Sequence, residues 1–221
     1  NLAGTSFDLA DKYRIPVMIL GDGILGQMME PLLVHSQEFI VGSKKLRTTN
    51  YELRTKPWAL CGCKGRKPNI IKSFYLREGA LEEFNLKLQK KYTSIRRDEQ
   101  KWESCFVNDA TIIIVGYGTM ARIAKGAMFK LRKEGYKVGL IRPISLWPFP
   151  VNAFRPPSSV LRSASFLVIE MSYGQMLEDV RLAVCCRQRI DFLGRSGGGV
   201  PSEEEIIKKV RELAGSRVRE K

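Results

Sequence analysis

From about residue 107 onward, short all-apolar runs alternate with longer stretches in which apolar side chains recur every three or four positions. Thr111-Ile112-Ile113-Ile114-Val115, Val138-Gly139-Leu140-Ile141, Phe166-Leu167-Val168-Ile169-Glu170 and Ile190-Asp191-Phe192-Leu193 read as strands buried on both faces. Met120, Ile123, Ala124, Ala127, Met128 and Leu131 form a helical stripe closed by Gly135. A second stripe runs through Leu177, Val180 and Val184. A third, Ile206, Ile207, Val210 and Leu213, is announced by the capping box Ser202-x-x-Glu205. Strands alternating with helices predict an α/β fold: a parallel sheet with helices on both faces.

The first half is less regular. Thr5–Tyr13 reads as a helix with Phe7, Leu9 and Ala10 on its apolar side, and Val17-Met18-Ile19-Leu20 after Pro16 reads as a buried strand. This looks like the last helix–strand unit of another α/β domain. One strand cannot cover both its faces, so the unit must pack on something else. Residues from about Pro31 to Pro68 show no periodicity. Leu81, Phe84, Leu88, Tyr92, Ile95 and Trp102 then mark one long amphipathic helix, with Glu82 and Glu83 in its first turn. The expected divisions are 1–31, the end of a first domain; 32–106, a connector with that helix; 107–215, a second domain; and 216–221, a basic tail.

Across 221 residues, 44% hydrophobic and 27% charged composition excludes a mainly disordered or collagen-like chain, and no apolar run reaches membrane-spanning length. Charge changes the picture: 37 Lys and Arg stand against 23 Asp and Glu. Between Lys44 and Glu103 the counts are 16 and 7, so most of the +14 sits in the connector. Nucleic acid, an anionic surface and an acidic partner or anionic ligand are the classes this admits. No nucleic-acid motif accompanies the charge.

Five Cys, two of them adjacent (Cys185, Cys186), suit reduced thiols in a cytoplasmic setting. Cys61-x-Cys63 would need further ligands, and His35 is the only histidine; both read as unremarkable, and no metal site is expected. Gly116-Tyr117-Gly118-Thr119-Met120-Ala121 fits the looser dinucleotide fingerprint, or simply tight strand-to-helix packing. The following strand ends in Arg142-Pro143, where an NAD site wants an acid. Gly194-Arg195-Ser196-Gly197-Gly198-Gly199 suits either an anion cradle or a turn, and Lys64, Arg66 and Lys67 form a small basic loop between glycines. Glu170–Gln175 lies at a strand's C-terminal end, where α/β sheets meet a ligand or a partner.

Taken together, Phe7–Arg14, Pro16–Gly23, Leu25–Pro31, Gly65–Ile71, Asn85–Gln89, Gly116–Lys125, Val138–Pro150, Gly174–Arg181 and Gly194–Gly198 resemble the α subunits of 2-oxoacid:ferredoxin oxidoreductases, nearest the 2-oxoisovalerate (branched-chain) branch. The resemblance implies a transketolase C-terminal-like domain at 107–215, preceded by the end of a pyrimidine-binding-type first domain whose catalytic motifs lie upstream of the residues present. It therefore implies no catalytic residue here, and an isolated chain without activity. It implies oxidative decarboxylation of a branched-chain 2-oxoacid to acyl-CoA with ferredoxin reduction. Thiamine diphosphate with Mg and 4Fe–4S clusters would be held in the holoenzyme rather than by this chain alone, with coenzyme A as co-substrate. The implied partners are a thiamine-binding β subunit, a γ subunit, a ferredoxin-like δ subunit and an acidic ferredoxin, in a cytoplasmic hetero-oligomer without nucleic acid or membrane. Lys64, Arg66, Lys67, Gly194, Arg195, Gly197 and Gly198 are candidate anion, coenzyme A or subunit contacts. Asp22, Gly23, Gln27, Gly116, Gly118, Tyr173 and Gln175 are candidate interface residues. The stretch 32–56, Cys61, Cys63 and Cys185-Cys186 depart from the family pattern. The alternatives are a basic nucleic-acid-binding module and an NAD(P)-binding enzyme.

Overall fold

In chain order the elements are α1 (Leu2–Tyr13), α2 (Gly23–Gln27), α3 (Ala80–Asp98), β1 (Trp102–Cys105), β2 (Ile112–Val115), α4 (Gly118–Lys133), β3 (Val138–Pro143), a 3₁₀ turn (Val151–Phe154), β4 (Ser165–Glu170), α5 (Gln175–Ala183), β5 (Ile190–Gly194) and α6 (Glu203–Arg219). The computed structural model describes residues 2–29, 58–59, 62–155, 163–185 and 188–219. His35, Cys61, Cys186 and nearly all of the expected connector up to 61 fall outside them. The chain divides into two compact units, Asn1–Met28 with Leu88–Lys221, and Met29–Lys87.

The first unit is built on one five-stranded sheet of order β1-β3-β2-β4-β5. β3, β2, β4 and β5 are parallel, as the apolar runs predict. Their side chains alternate between two cores. Ile113, Val115, Phe166 and Val168 face Met176, Leu177 and Val180 of α5 and Phe154 of the 3₁₀ turn. Ile112, Ile114, Leu167 and Ile169 face Met128 and Leu131 of α4 and Ile206 and Val210 of α6. Burying each such side chain contributes about 1.5–3 kcal/mol, which is why runs apolar at every position, not alternate ones, mark these strands.

Two expectations need correction. The helical stripe does not extend to Trp102: α3 ends at Asp98, and Trp102 opens β1, which pairs antiparallel with β3 from Trp102↔Pro143 to Cys105↔Leu140. The sheet is therefore mixed, with an antiparallel edge. Val17–Leu20 joins no sheet among the described residues; Met18, Ile19 and Leu20 are exposed. A strand exists only through a neighbour's hydrogen bonds, and no described strand offers them.

α1 and α2 bury no residue of their own. Polar contacts hold them instead. Buried Glu99, just past α3, accepts from Lys12 Nζ at 2.6 Å and Tyr13 Oη at 2.7 Å. Burial alone would raise the Glu99 carboxyl, but the bonds from Lys12 and Tyr13 and the charge of Lys12 outweigh it and hold it below its ordinary value.

Candidate functional site

The chain leaves β2 toward β3 on one side and returns to β4 on the other, so the C-terminal ends of β2 and β4 flank a topological switch point. Ligands of open α/β sheets gather there, and the fingerprint loop 116–121 and the segment 170–175 both reach it. What fills the helix ends at this crevice is carboxylate from the chain itself.

At α4, the N-cap residue Tyr117 makes no side-chain capping bond. Asp22 supplies one from far away in sequence. Its Oδ1 accepts from the Thr119 hydroxyl at 3.0 Å and from the Leu25 N–H at 2.8 Å, and its Oδ2 from the Thr119 N–H at 3.4 Å. One carboxylate thus caps α2 and α4 together. Gly118, at φ +55°, has room for no Cβ without meeting Asp22 Oδ2 at 3.3 Å, and a Cβ on Gly116 would lie 3.0 Å from the Ile169 side chain. The two glycines serve close packing here, and the position where a dinucleotide phosphate would sit holds Asp22. Arg142, the residue a 2′-phosphate would need, pairs with Glu103 at 3.1 Å. The dinucleotide alternative therefore has no support in this loop.

Burial tends to raise Asp22, but the hydrogen bonds from Leu25, Thr119 and Ile24 prevail and its carboxyl lies below the ordinary range. A carboxylate depressed in the folded state adds stability above the unfolded value near 3.9, and loses it as pH falls through the folded one. Asp22→Ala is accordingly expected to cost about 1 kcal/mol at neutral pH, the usual worth of a cap. Denaturant titrations of both proteins at decreasing pH should converge in the acid range. A gap independent of pH would show that the carboxylate charge is not what holds the contact.

At β4, Glu170 is wholly buried. Its Oε1 accepts from the Leu177 N–H at 2.9 Å, and its Oε2 from Met176 N–H at 3.1 Å and Ser172 Oγ at 2.6 Å. The strand end thus turns its acid inward to cap α5, while Tyr173 is 81% exposed and Gln175 lies at the surface. Tyr117 lies between the two capped ends; burial first, then the charges of Glu170 and Asp22, push its phenol above its ordinary value.

At α6, Ser202 and Glu205 form the expected capping box: the Ser202 N–H donates to Glu205 Oε2 at 2.8 Å and the Glu205 N–H to Ser202 Oγ at 3.2 Å. Arg195 is ion-paired with Glu205. Gly197 and Gly198 take φ of +66° and +85° with open space around each, as a turn requires. Gly194 is different: a Cβ there would meet the Ser172 carbonyl oxygen at 2.5 Å.

In the second unit, Lys64, Arg66 and Lys67 are exposed, and Arg66 folds back onto the carbonyls of Gly62, Ala59 and Lys67. Of the described thiols, Cys63 and Cys185 are exposed and Cys105 half-buried. Among the described residues no three His, Cys, Asp or Glu side chains converge as metal ligands. No described helix is long and apolar enough to cross a membrane.

The structure thus brings Asp22 and Gly118 together and leaves Tyr173 and Gln175 outward. Gly23 and Gln27 begin and end α2, whose residues are none of them buried. Sequence reasoning missed Thr119, Glu99 and the inward turn of Glu170. In the sequence Asp22 reads only as a candidate interface residue, and its capping of α2 and α4 emerges from the structure.

Residues 110–206 match the family model described as pyruvate:ferredoxin oxidoreductase core domain II. The chain is 40% identical over 215 residues to the ketoisovalerate oxidoreductase subunit VorB of Methanothermobacter marburgensis, covering 97% of this chain and 57% of that protein. It is 27% identical to the 2-oxoglutarate synthase subunit KorA of Methanocaldococcus jannaschii, covering 93% of this chain and 58% of that one. The chain therefore spans little more than half the length of these relatives. A solved 2-oxoglutarate:ferredoxin oxidoreductase from Magnetococcus marinus, with 2-oxoglutarate, coenzyme A and succinyl-CoA bound, superposes with a TM-score of 0.52 at 23% identity, over 62% of this chain and 24% of that one. That likeness bears on the fold alone. By sequence along nearly its whole length the chain is similar to subunits of 2-oxoacid:ferredoxin oxidoreductases, and its residues 110–206 match the pyruvate:ferredoxin oxidoreductase core domain II.

Proposed function

We propose that the chain acts as part of a 2-oxoacid:ferredoxin oxidoreductase of the ketoisovalerate type, in which a branched-chain 2-oxoacid is decarboxylated oxidatively to its acyl-CoA with reduction of ferredoxin. The observation that carries this is the 40% identity over 97% of the chain to a ketoisovalerate oxidoreductase subunit. Its role is structural and subunit-contacting. Residues 107–215 form the second domain, 1–31 the end of a first, and 32–106 the connector between them. The switch-point crevice supports this role: the helix ends that would take an anion are capped from within, which leaves outward groups such as Tyr173 and Gln175 to meet another surface.

Thiamine diphosphate supplies the carbanion chemistry in such enzymes and iron–sulfur clusters carry the electrons. Both belong, on this reading, to companion subunits or to sequence beyond the described residues. Coenzyme A is the co-substrate, the acceptor is an acidic ferredoxin, and the assembly is a cytoplasmic hetero-oligomer. Co-expression with the companion subunits and the remaining first-domain sequence, followed by 2-oxoisovalerate- and coenzyme-A-dependent viologen reduction, tests this. Activity is expected from the assembly and none from the chain alone. An assembled complex inert toward every 2-oxoacid offered would refute it.

A further inference from the structure

Seven large apolar side chains lie exposed between residues 70 and 86, all in the second compact unit: Ile70 78%, Ile71 64%, Phe74 73%, Leu76 85%, Leu81 55%, Phe84 37% and Leu86 58%. Single exposed apolar residues need no account, but so many close together in sequence point to a surface that is covered in use. From Ile70 to Leu76 the backbone forms no hydrogen bond among the described residues. These groups need a partner once water is excluded.

Beside this run lies a cavity of about 210 Å³ lined by Lys72, Tyr75, Arg77, Glu83, Phe84 and Lys87 among others. Tyr75 and Phe84 stack at 5.2 Å and wall one side. Arg77 pairs with Glu83 at 2.8 Å. Lys72 stands 5.2 Å over the Tyr75 ring. Among the described residues neither Lys72 nor Lys87 has a carboxylate partner. The volume is below the roughly 300–1,000 Å³ of a drug-sized ligand pocket and suits a single acidic side chain.

We infer that the segment 70–87 is the docking surface for an extended, acidic segment of a companion subunit, whose apolar side chains cover Ile70, Phe74 and Leu76 and whose carboxylate enters between Lys72 and Lys87. Charge complementarity selects the acid. The backbone groups of Ile70–Leu76, which have no hydrogen-bond partner among the described residues, favour protein over a lipid surface, because protein groups supply such bonds and hydrocarbon supplies none. This rests on the reading above only in taking the partner to be a subunit of the same assembly.

The test is co-purification of companion subunits on the tagged full chain, comparing wild type with Ile70→Asp/Phe74→Asp and Lys72→Glu/Lys87→Glu. Circular dichroism and thermal melting of each free chain should match wild type, since all four positions are exposed. Both pairs are expected to weaken capture by about thirtyfold or more, as loss of central interface anchors does. Wild-type capture should also fall with salt, and that of the charge-reversed pair should not. Normal assembly of both variants, or no assembly of the wild type, overturns the inference. So does binding to phosphatidylserine vesicles that the charge reversal abolishes, which would make lipid the occupant, or self-association lost in the apolar variant, which would make it a second copy. A wild-type assembly that forms yet oxidises no 2-oxoacid sinks the proposed activity and leaves the docking surface standing. An active assembly indifferent to both variants does the reverse.

Discussion

Glu170→Ala is expected to lower the folding free energy by about 4 kcal/mol, with an unfolding temperature roughly 10 °C below wild type. The residue is wholly buried, and three donors converge on its two oxygens. Truncation leaves the N–H groups of Met176 and Leu177 buried without an acceptor, and each such orphan costs about 1–3 kcal/mol. A void where the carboxylate stood adds to this. Glu170→Gln keeps one acceptor oxygen and loses the charge, so about half the effect is expected. A second readout separates the charge from the cap. Burial, then the Glu170 and Asp22 charges, hold the Tyr117 phenol above its ordinary value. Both variants remove one of those charges, so spectroscopic titration should show the Tyr117 phenol ionising at lower pH in each. Equal stability of Glu170→Ala and wild type would mean that α5 is capped by something else.

The same residue shows how far the sequence could be read. Residues 166–170 are apolar up to their last member, so the strand and its C-terminal acid are plain in the pattern. Its direction is not, because an acid at a strand end meets a ligand, a partner or its own next helix with equal ease. The parallel strands, α4, α5 and α6 were legible for one reason: each buries enough apolar surface to write its period into the chain. β1 was not. Its four residues, Trp102-Glu103-Ser104-Cys105, carry no period and form an exposed edge held by backbone pairing with β3. Val17–Leu20 erred the other way, with the composition of a buried strand and no described neighbour to bury it. The Asp22–Thr119 contact joins residues 97 apart. The aspartate reads in the sequence only as the close of the Val17–Leu20 run and a candidate interface residue, because its bond to Thr119 depends on the tertiary fold. The basic excess narrows in the same manner. Arg195, Arg142 and Arg66 have partners within the chain, whereas Lys72 and Lys87, which line one cavity, have no carboxylate partner among the described residues.

Gly194→Ala separates two explanations of the glycine loop that the sequence leaves equal. As an anion cradle, residues 194–199 would tolerate a methyl group at 194 with little loss of stability. In the fold, Gly194 closes β5 opposite Glu170, and the Arg195 N–H donates to the Glu170 carbonyl at 3.2 Å. A Cβ at 194 would fall 2.5 Å from the Ser172 carbonyl oxygen and 2.2 Å from the Phe192 ring. The ring can swing aside. The carbonyl cannot, because the turn it belongs to is fixed by Ser172 Oγ and by the α5 cap on Glu170. The strand end must therefore move, and overpacking of this kind costs about 1–3 kcal/mol. The upper end is expected here, with an unfolding temperature lower by roughly 5–10 °C. Gly197→Ala is the matched control: its φ of +66° carries strain but nothing lies within 4 Å, so about 1 kcal/mol is expected. Thermal melts of the two variants decide the matter. If Gly194→Ala costs no more than Gly197→Ala, close packing is not what requires glycine at 194. If it costs clearly more, Gly194 is fixed by the fold, and the search for an anion contact in this loop narrows to residues 195–199.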